Sequence, residues 1–281
     1  MGVDMRKLEM AALQQIERYM RVFAREAGRL AMARQQQLSH VWAKDNRELD
    51  AANIVTEADQ EVGELAVDFF SRCFPGCVVI HEEQTDRLDP ASAPDALMFI
   101  SDPIDGTLLY AAGGFAWTVS VGCFHRWQPL AGCVYAPQLN QMFYTAGGVS
   151  LLNGTPIRAR SHASSLLGAV MLRHIKAYHD IDDFPGYTLC YGGPALHLCL
   201  VASGFASACV TSRHRVYDVA GAAKILENAG AELRFLNGDL PPWEKLVTNH
   251  SARAPDFFFA CPRGEFGRLS KYVKPKLPWR D

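Results

Sequence analysis

This sequence has no surplus of charge of one sign, no leader-like opening, no internal repeat or low-complexity tract, and no unbroken apolar span. Its 28 lysines and arginines stand against 30 aspartates and glutamates, a formal net charge of -2, so no basic surface is available to recruit nucleic acid. The chain does not open on a charged-then-apolar segment, and its eight cysteines lie mostly inside apolar runs. Both features predict reduced thiols in a cytoplasmic protein rather than disulfides. Two stretches, 106–124 and 186–212, lack Asp, Glu, Lys and Arg, and by length each resembles a membrane span. Gly, Ser, Thr and Pro interrupt both, which predicts buried α/β core and no membrane partner. What remains is a chain of 281 residues, 49% hydrophobic and 21% charged, the profile of an ordinary soluble globular protein built as one domain or two closely packed halves.

Leu13, Ile16, Met20, Phe23, Ala27 and Leu30 fall three and four apart, which predicts one buried helical face. A second helix is predicted over "TEADQEVGELAVDFFSRCF". Thr56 is a good N-cap, Asp59 falls at the third helical position, Val62, Leu65 and Phe69 follow at helical spacing, and Pro75 with Gly76 marks the stop. "CVVI" and "ALMFI" read as strands on either side of an exposed loop, "TDRLDPASAPD". "FAWTVSVGCF", "PLAGCVYAP" and "QMFYTAGG" read as successive strands of a meander. The texture changes near 158–165, which divides the chain into an N-terminal α+β half over 1–160 and a C-terminal α/β half over 161–281. In the second half, Pro194 and Gly204 bracket a helix, "ASACV" reads as a strand, and "DVAGAAKILENAGAEL" reads as a helix capped by Asp218 and closed by Gly230. "KYVKPKLPWRD" is expected to be a surface end.

Acidic residues recur at the ends of these elements: Asp59 in a first helical turn, Glu82 and Glu83 after a strand, Asp102 and Asp105 after another, and Asp218 at a helix start. Capping or first-turn placement accounts for Asp59 and Asp218, and solvation accounts for the Glu pair. "DPIDGT", at 102–107, is harder to dismiss, because a turn uses one Asp and one Gly but has no use for a second carboxylate behind a buried strand. Strand-end acids of α/β sheets often face the ligand crevice, and hard divalent cations such as Mg2+ take carboxylate and carbonyl oxygens. In a turn, Asp102 and Asp105 converge with the carbonyl of Ile104 between them, which predicts a metal cradle. Phosphatases that form an aspartyl-phosphate also place Asp-Gly-Thr after a strand, but their two aspartates are two apart on an extended chain. Here they are three apart with a proline between, which argues against a covalent mechanism.

The succession "IVTEADQEV", "HEEQ", "ISDPIDGT", "LAGCVYAP", "LLNGTPI", "GGPALHLCLVASG" and "YDVAGAAKILENAG" resembles, over most of the chain, the inositol monophosphatase family of Mg2+-dependent, Li+-sensitive phosphatases. The resemblance implies an α/β fold of αβαβα layers, a homodimer, and hydrolysis of a small phosphorylated substrate by an activated water. It implies that Glu82, Asp102, the carbonyl of Ile104, Asp105 and Asp218 bind two or three Mg2+ ions, with Glu82 also part of the catalytic group. Thr107, oriented by Asp59, is expected to position and help deprotonate the water, and the amides of Gly106 and Thr107 to hold phosphate oxygens. Gly192, Gly193, Pro194, Thr211 and Asp218 are the expected substrate face.

The departures from the family pattern are local. His81 stands where a Gly usually precedes the Glu pair, and Leu108, Leu109 and Tyr110 stand where Thr-Asn-aromatic is usual. Tyr217 replaces a Trp, Gly192-Gly193-Pro194 replaces the Gly-Thr-Ala that touches the substrate, and Thr211 replaces the Glu with which inositol-hydrolysing members hold ring hydroxyls. His81 is expected to line or support the site, since Mg2+ prefers oxygen. Arg213, His214 and Arg215 form either a solvated basic loop or a site for a second negative group. The expected function is a Mg2+-dependent phosphomonoesterase for a small cyclitol or sugar phosphate. The alternatives are a 3'-phosphoadenosine 5'-phosphate or fructose 1,6-bisphosphate phosphatase and, from another class, a regulatory binding protein that retains the fold, against which the intact carboxylates argue.

Overall fold

The structure is a computed structural model and describes residues 5–37, 42–43, 54–83, 90–161, 169–171, 179–181, 184, 186–190 and 192–276. Helix α1 (Met5–Gln35) buries Ile16, Met20, Phe23 and Ala27 as the spacing predicts, and leaves Leu13 and Leu30 at the margin. Two short antiparallel strands, β1 (Trp42–Ala43) and β2 (Ile54–Val55), lead into α2 (Glu57–Cys73). Thr56 and Asp59 close the start of α2, because Asp59 Oδ2 accepts both the Thr56 N–H (2.8 Å) and the Thr56 hydroxyl (2.6 Å). The buried stripe of α2 is Ala58, Val62, Ala66 and Phe70, and the expected Leu65 and Phe69 are only half-buried beside it.

A seven-stranded sheet follows in the order β3 (Val78–His81), β4 (Leu97–Asp105), β5 (Thr118–His125), β6 (Gln128–Ala136), β7 (Gln141–Ala146), β8 (Val149–Leu152) and β9 (Thr155–Pro156). Only β3 and β4 are parallel; the remaining pairs are antiparallel, so the predicted meander is present. A short helix, α3 (Thr107–Ala111), leaves the end of β4. The second sheet has the order β12-β10-β13-β15-β14 and is built from β10 (Ala169–Met171), β12 (Thr188–Leu189), β13 (Ala208–Thr211), β14 (Ala231–Phe235) and β15 (Phe258–Pro262). The short strand β11 (His179–Asp180) pairs with β16 (Lys274–Pro275) away from that sheet. Of the predicted loop, boundary and tail, residues 85–89, 162–165 and 277–281 lie outside the described residues.

Alternation along the strands builds the layers. Phe99 and Val121 face α1 and α2 and meet Phe23 and Phe70 there, whereas Met98, Ile100 and Phe124 face the opposite way. That opposite face packs on α4 (Pro194–Ala202) and α5 (Val216–Asn228), which the second sheet covers through Cys209, Phe258 and Ala260. Beyond α5 the chain forms α6 (Trp243–Thr248), and α7 (Phe266–Leu269) lies on the far side of the second sheet over Val210 and Phe259. The result is the expected αβαβα stack. No described helix is long and apolar enough to cross a membrane. All eight cysteines are free, and burial pushes the thiols of Cys133 and Cys261 up to about 12, which leaves them protonated and inert at neutral pH.

Helix α5 lies directly on the first sheet because glycine meets glycine. Gly122 and Gly132 are cross-strand partners, and a Cβ on either would stand 2.5 Å from Ala220 O or 2.3 Å from Gly221 O. Gly132→Ala is therefore expected to destabilise the fold by about 1–3 kcal/mol through overpacking, read as a lower urea midpoint with an unchanged m-value. An unchanged midpoint would mean that α5 can lift from the sheet at no cost.

Candidate active site

Asp102 and Asp105 lie within β4 itself and not in a turn after it, which corrects the reading of "DPIDGT" as a turn. Residues three apart on a regular strand point to opposite faces. Here Asp102 is paired with Ser120 and Asp105 with Thr118, so three steps on β4 oppose two on β5 and the register shifts between them. This bulge turns both carboxylates toward α4 and α5, while Ile104 faces α1 and α2. Gly106, at φ +96°, then turns the chain into α3.

The start of α5 brings the third acid. Asp218 is the third residue of α5, and the N-cap is Arg215, whose N–H donates to Asp218 Oδ2 at 2.8 Å. The expected cap at Asp218 is therefore three residues earlier. Asp102, Asp105 and Asp218 each offer an oxygen, and these oxygens lie within 4.8 Å of one another. Glu82 is half-buried and outside that group, but its charge is felt by Asp105 and by the buried Tyr217 hydroxyl. Burial first, then Glu82 and Asp218, hold the Tyr217 hydroxyl well above the usual phenol range.

Asp105 is held by two hydrogen bonds. Oδ2 accepts the Ala195 N–H at 2.9 Å and the Thr118 hydroxyl at 3.2 Å. Even so, burial foremost, and Asp218 next, push its pKa well above the usual carboxylate range. The N-terminus of α4 reaches Asp105 through Gly192 and Gly193. A Cβ on Gly193 would stand 2.2 Å from Asp105 Oδ1, and one on Gly192, which sits at φ +84°, would stand 2.6 Å from Ala116 O. Buried, oxygen-only and mutually repelling, this donor set is of the kind that a hard divalent cation neutralises.

Thr107 and Asp59 meet at the end of β4, where α3 begins. The Thr107 hydroxyl is 3.0 Å from Ile104 O and 3.3 Å from Asp59 Oδ1, and Asp59 is fully buried. His81 is not with the three acids: its ring packs against Gly63 of α2, where a Cβ would stand 2.5 Å from Cε1 and Nδ1. Leu108 and Leu109 are exposed, and Tyr110 is buried with its hydroxyl on Ala31 O at 2.8 Å.

Thr211 is fully buried at the end of β13, with its hydroxyl 2.5 Å from His214 Nε2. Arg213 Nε donates to Ala254 O and Arg215 Nε to Ser251 O, each at 2.8 Å. The basic loop is thus zipped to 251–254 through these nitrogens. Sequence reading missed Ala195 and Thr118, and read His214 only as part of the basic loop and not as the partner of Thr211. Ala195 had a signal, as the free amide directly behind a helix-starting proline; Thr118 had none, because its place opposite Asp105 depends on strand register.

The comparisons with known proteins agree on one family. Residues 13–258 match the profile of the inositol monophosphatase family. An inositol-1-monophosphatase of Bacillus subtilis is 25% identical over 253 residues, which cover 85% of this chain and 91% of that protein. A fructose-1,6-bisphosphatase/inositol-1-monophosphatase of Thermotoga maritima is 27% identical over 202 residues, covering 66% of this chain and 73% of its own. In fold, an extragenic suppressor protein of Bartonella henselae superimposes with a TM-score of 0.75 at 18% identity, over 92% of this chain and 97% of that one.

Proposed function

The chain belongs to the inositol monophosphatase family, metal-dependent phosphatases that hydrolyse phosphate monoesters, and from that premise we propose that it is a Mg2+-dependent phosphomonoesterase for a small cyclitol or sugar phosphate. The observation that carries this is the convergence of buried Asp102 and Asp105 with half-buried Asp218, whose oxygens lie within 4.8 Å of one another. Together with Glu82 and the carbonyl of Ile104, they are the proposed holders of two or three Mg2+ ions. Bound Mg2+ supplies Lewis acidity, which acidifies the attacking water and offsets charge on the phosphoryl and leaving oxygens.

The chain's own groups do the rest. Thr107 orients the water and takes its proton on Oγ1 as its own hydroxyl proton passes to Asp59 Oδ1. The amides of Gly106 and Thr107 hold phosphate oxygens, and Gly192, Gly193 and Pro194 line the side of the leaving alcohol. A homodimer and a cytoplasmic location are part of the proposal, and sedimentation velocity and cell fractionation test them.

Inositol 1-phosphate is expected to be a poor substrate. A carboxylate holding a ring hydroxyl is worth about 1.5–3 kcal/mol, and Thr211 offers only a hydroxyl that is already engaged by His214. The expected deficit in kcat/KM against the best substrate is about tenfold or more. The experiment is phosphate release from inositol 1-phosphate, sugar phosphates, fructose 1,6-bisphosphate and 3'-phosphoadenosine 5'-phosphate, with Mg2+ and after EDTA. Release that depends on Mg2+ supports the reading; none from any ester at saturating Mg2+ would leave a binding protein instead. A preference for either bisphosphate would assign the second phosphate to Arg213 and Arg215.

A further inference from the structure

His214 is held from three directions. Its carbonyl accepts the Ala254 N–H at 2.9 Å, its Nε2 lies 2.5 Å from the Thr211 hydroxyl, and its Nδ1 lies 3.6 Å from Asp218 Oδ2. The last distance exceeds a hydrogen bond but places Nδ1 beside a carboxylate. A neutral imidazole has one donor and one acceptor nitrogen, and a threonine hydroxyl rotates to suit either. If Nε2 carried the proton, a bare Nδ1 lone pair would face the Asp218 carboxylate and repel it. The favoured arrangement has Thr211 O–H donating to Nε2, which leaves the proton on Nδ1, the nitrogen beside Oδ2.

We propose that His214, with its tautomer set by Thr211, is a positioning residue for Asp218. Its Nδ1–H stands beside Oδ2 on the ring side as an attractive dipole, while the Arg215 N–H bonds the same oxygen at the helix start, and together they bias how the Asp218 carboxylate is set against Asp102 and Asp105. The proposal rests on the reading of Asp102, Asp105 and Asp218 as a Mg2+ site.

The test uses the two amide replacements of histidine, whose nitrogens sit differently. His214→Asn keeps an N–H near the place of Nδ1, and His214→Gln puts one near Nε2. Mg2+ binding to the full-length protein is measured by isothermal titration calorimetry, alongside the Mg2+ concentration for half-maximal phosphate release. The expected result is binding weakened about tenfold in His214→Gln, as for other groups that orient a metal ligand, with His214→Asn close to the parent and kcat at saturating Mg2+ largely kept in both. Thr211→Val, which preserves volume, should weaken Mg2+ in the same direction, and Thr211→Ser should restore it. A ring that merely fills space would be replaced better by the longer Gln than by Asn, and that order, or unchanged Mg2+ binding in both His214→Gln and Thr211→Val, overturns the role of His214 alone. Loss of Mg2+ binding in Asp105→Asn keeps the site reading intact in that case, whereas a parent protein that binds no Mg2+ overturns both.

Discussion

Asp105→Asn is expected to lower Mg2+-dependent phosphate release by about a thousandfold or more, the rate equivalent of about 4 kcal/mol, while the metal-free protein folds as well as the parent or better. The amide is isosteric, so it fits the space that Gly193 leaves open, and its oxygen can still accept from Ala195 N and Thr118. What it cannot supply is a charge. In the metal-free parent, burial and Asp218 raise the folded-state pKa of Asp105 well above its unfolded value, so the native state holds its proton over a pH window in which the unfolded chain has released it. Stability from that difference is present below the unfolded carboxylate pKa, near 3.9, and is lost as pH rises through the raised folded value. The variant has no such term. Unfolding in EDTA should therefore show Asp105→Asn gaining on the parent at pH 7, with the gap closing toward pH 4. Full phosphatase activity in the variant at saturating Mg2+ would sink the metal-cradle reading. Gly193→Ala makes the complementary point: its Cβ would stand 2.2–2.4 Å from the Asp105 carboxylate, so activity should fall although no ligand has been removed.

The layers were legible in the sequence because they rest on periodicity. Ile16, Met20, Phe23 and Ala27 announce the buried face of α1, and the alternation of Met98, Phe99 and Ile100 announces a strand buried on both sides. The candidate site was legible as residue types and only partly as geometry. Asp102 and Asp105 were recognisable as a pair with no structural excuse, but their convergence depends on a bulge, and a bulge is a relation between β4 and β5 that no single strand spells out. Thr118 owes its place beside Asp105 to the same register. Asp218 was read as a cap because a first-turn acid and a cap look alike until the backbone shows which N–H is bound; here it is that of Arg215. The basic loop was ambiguous for a related reason. Whether Arg213 and Arg215 face a substrate or a neighbouring chain segment depends on 251–254, some forty residues away, which local composition does not reveal.

Asp59 shows that a bland reading and a functional one can hold together. It belongs to the N-terminal box of α2 through Oδ2 and reaches Thr107 through Oδ1. The cap fixes the carboxylate, and the fixed carboxylate leaves one oxygen for the hydroxyl. Capping, usually a stability device worth about 0.5–2 kcal/mol, here also orients the group next to the proposed water.

Thr107→Ala and Asp59→Asn are each expected to lower kcat by about a hundredfold to ten-thousandfold, the usual range for a positioned proton-transfer group, with Mg2+ binding retained. In Asp59→Asn the effect comes from donors and acceptors. The Thr56 N–H has a fixed direction and claims the single amide oxygen, which leaves the NH2 toward Thr107. The Thr107 hydroxyl must then accept from that group and donate to Ile104 O, 3.0 Å away, so its proton can no longer pass to residue 59. Thr107→Ser should keep most activity, because it keeps the hydroxyl. If the two groups act as one path, the double variant Thr107→Ala/Asp59→Asn should be about as slow as Thr107→Ala alone, since a proton path cut once is not slowed further by a second cut. Additive losses in that cycle would separate the two residues. Loss of Mg2+ binding by calorimetry in Thr107→Ala would move Thr107 from the water to the metal site. Asp59→Asn should also soften the start of α2, so its unfolding midpoint should fall while that of Thr107→Ala holds, and this difference tells the cap from the proton path.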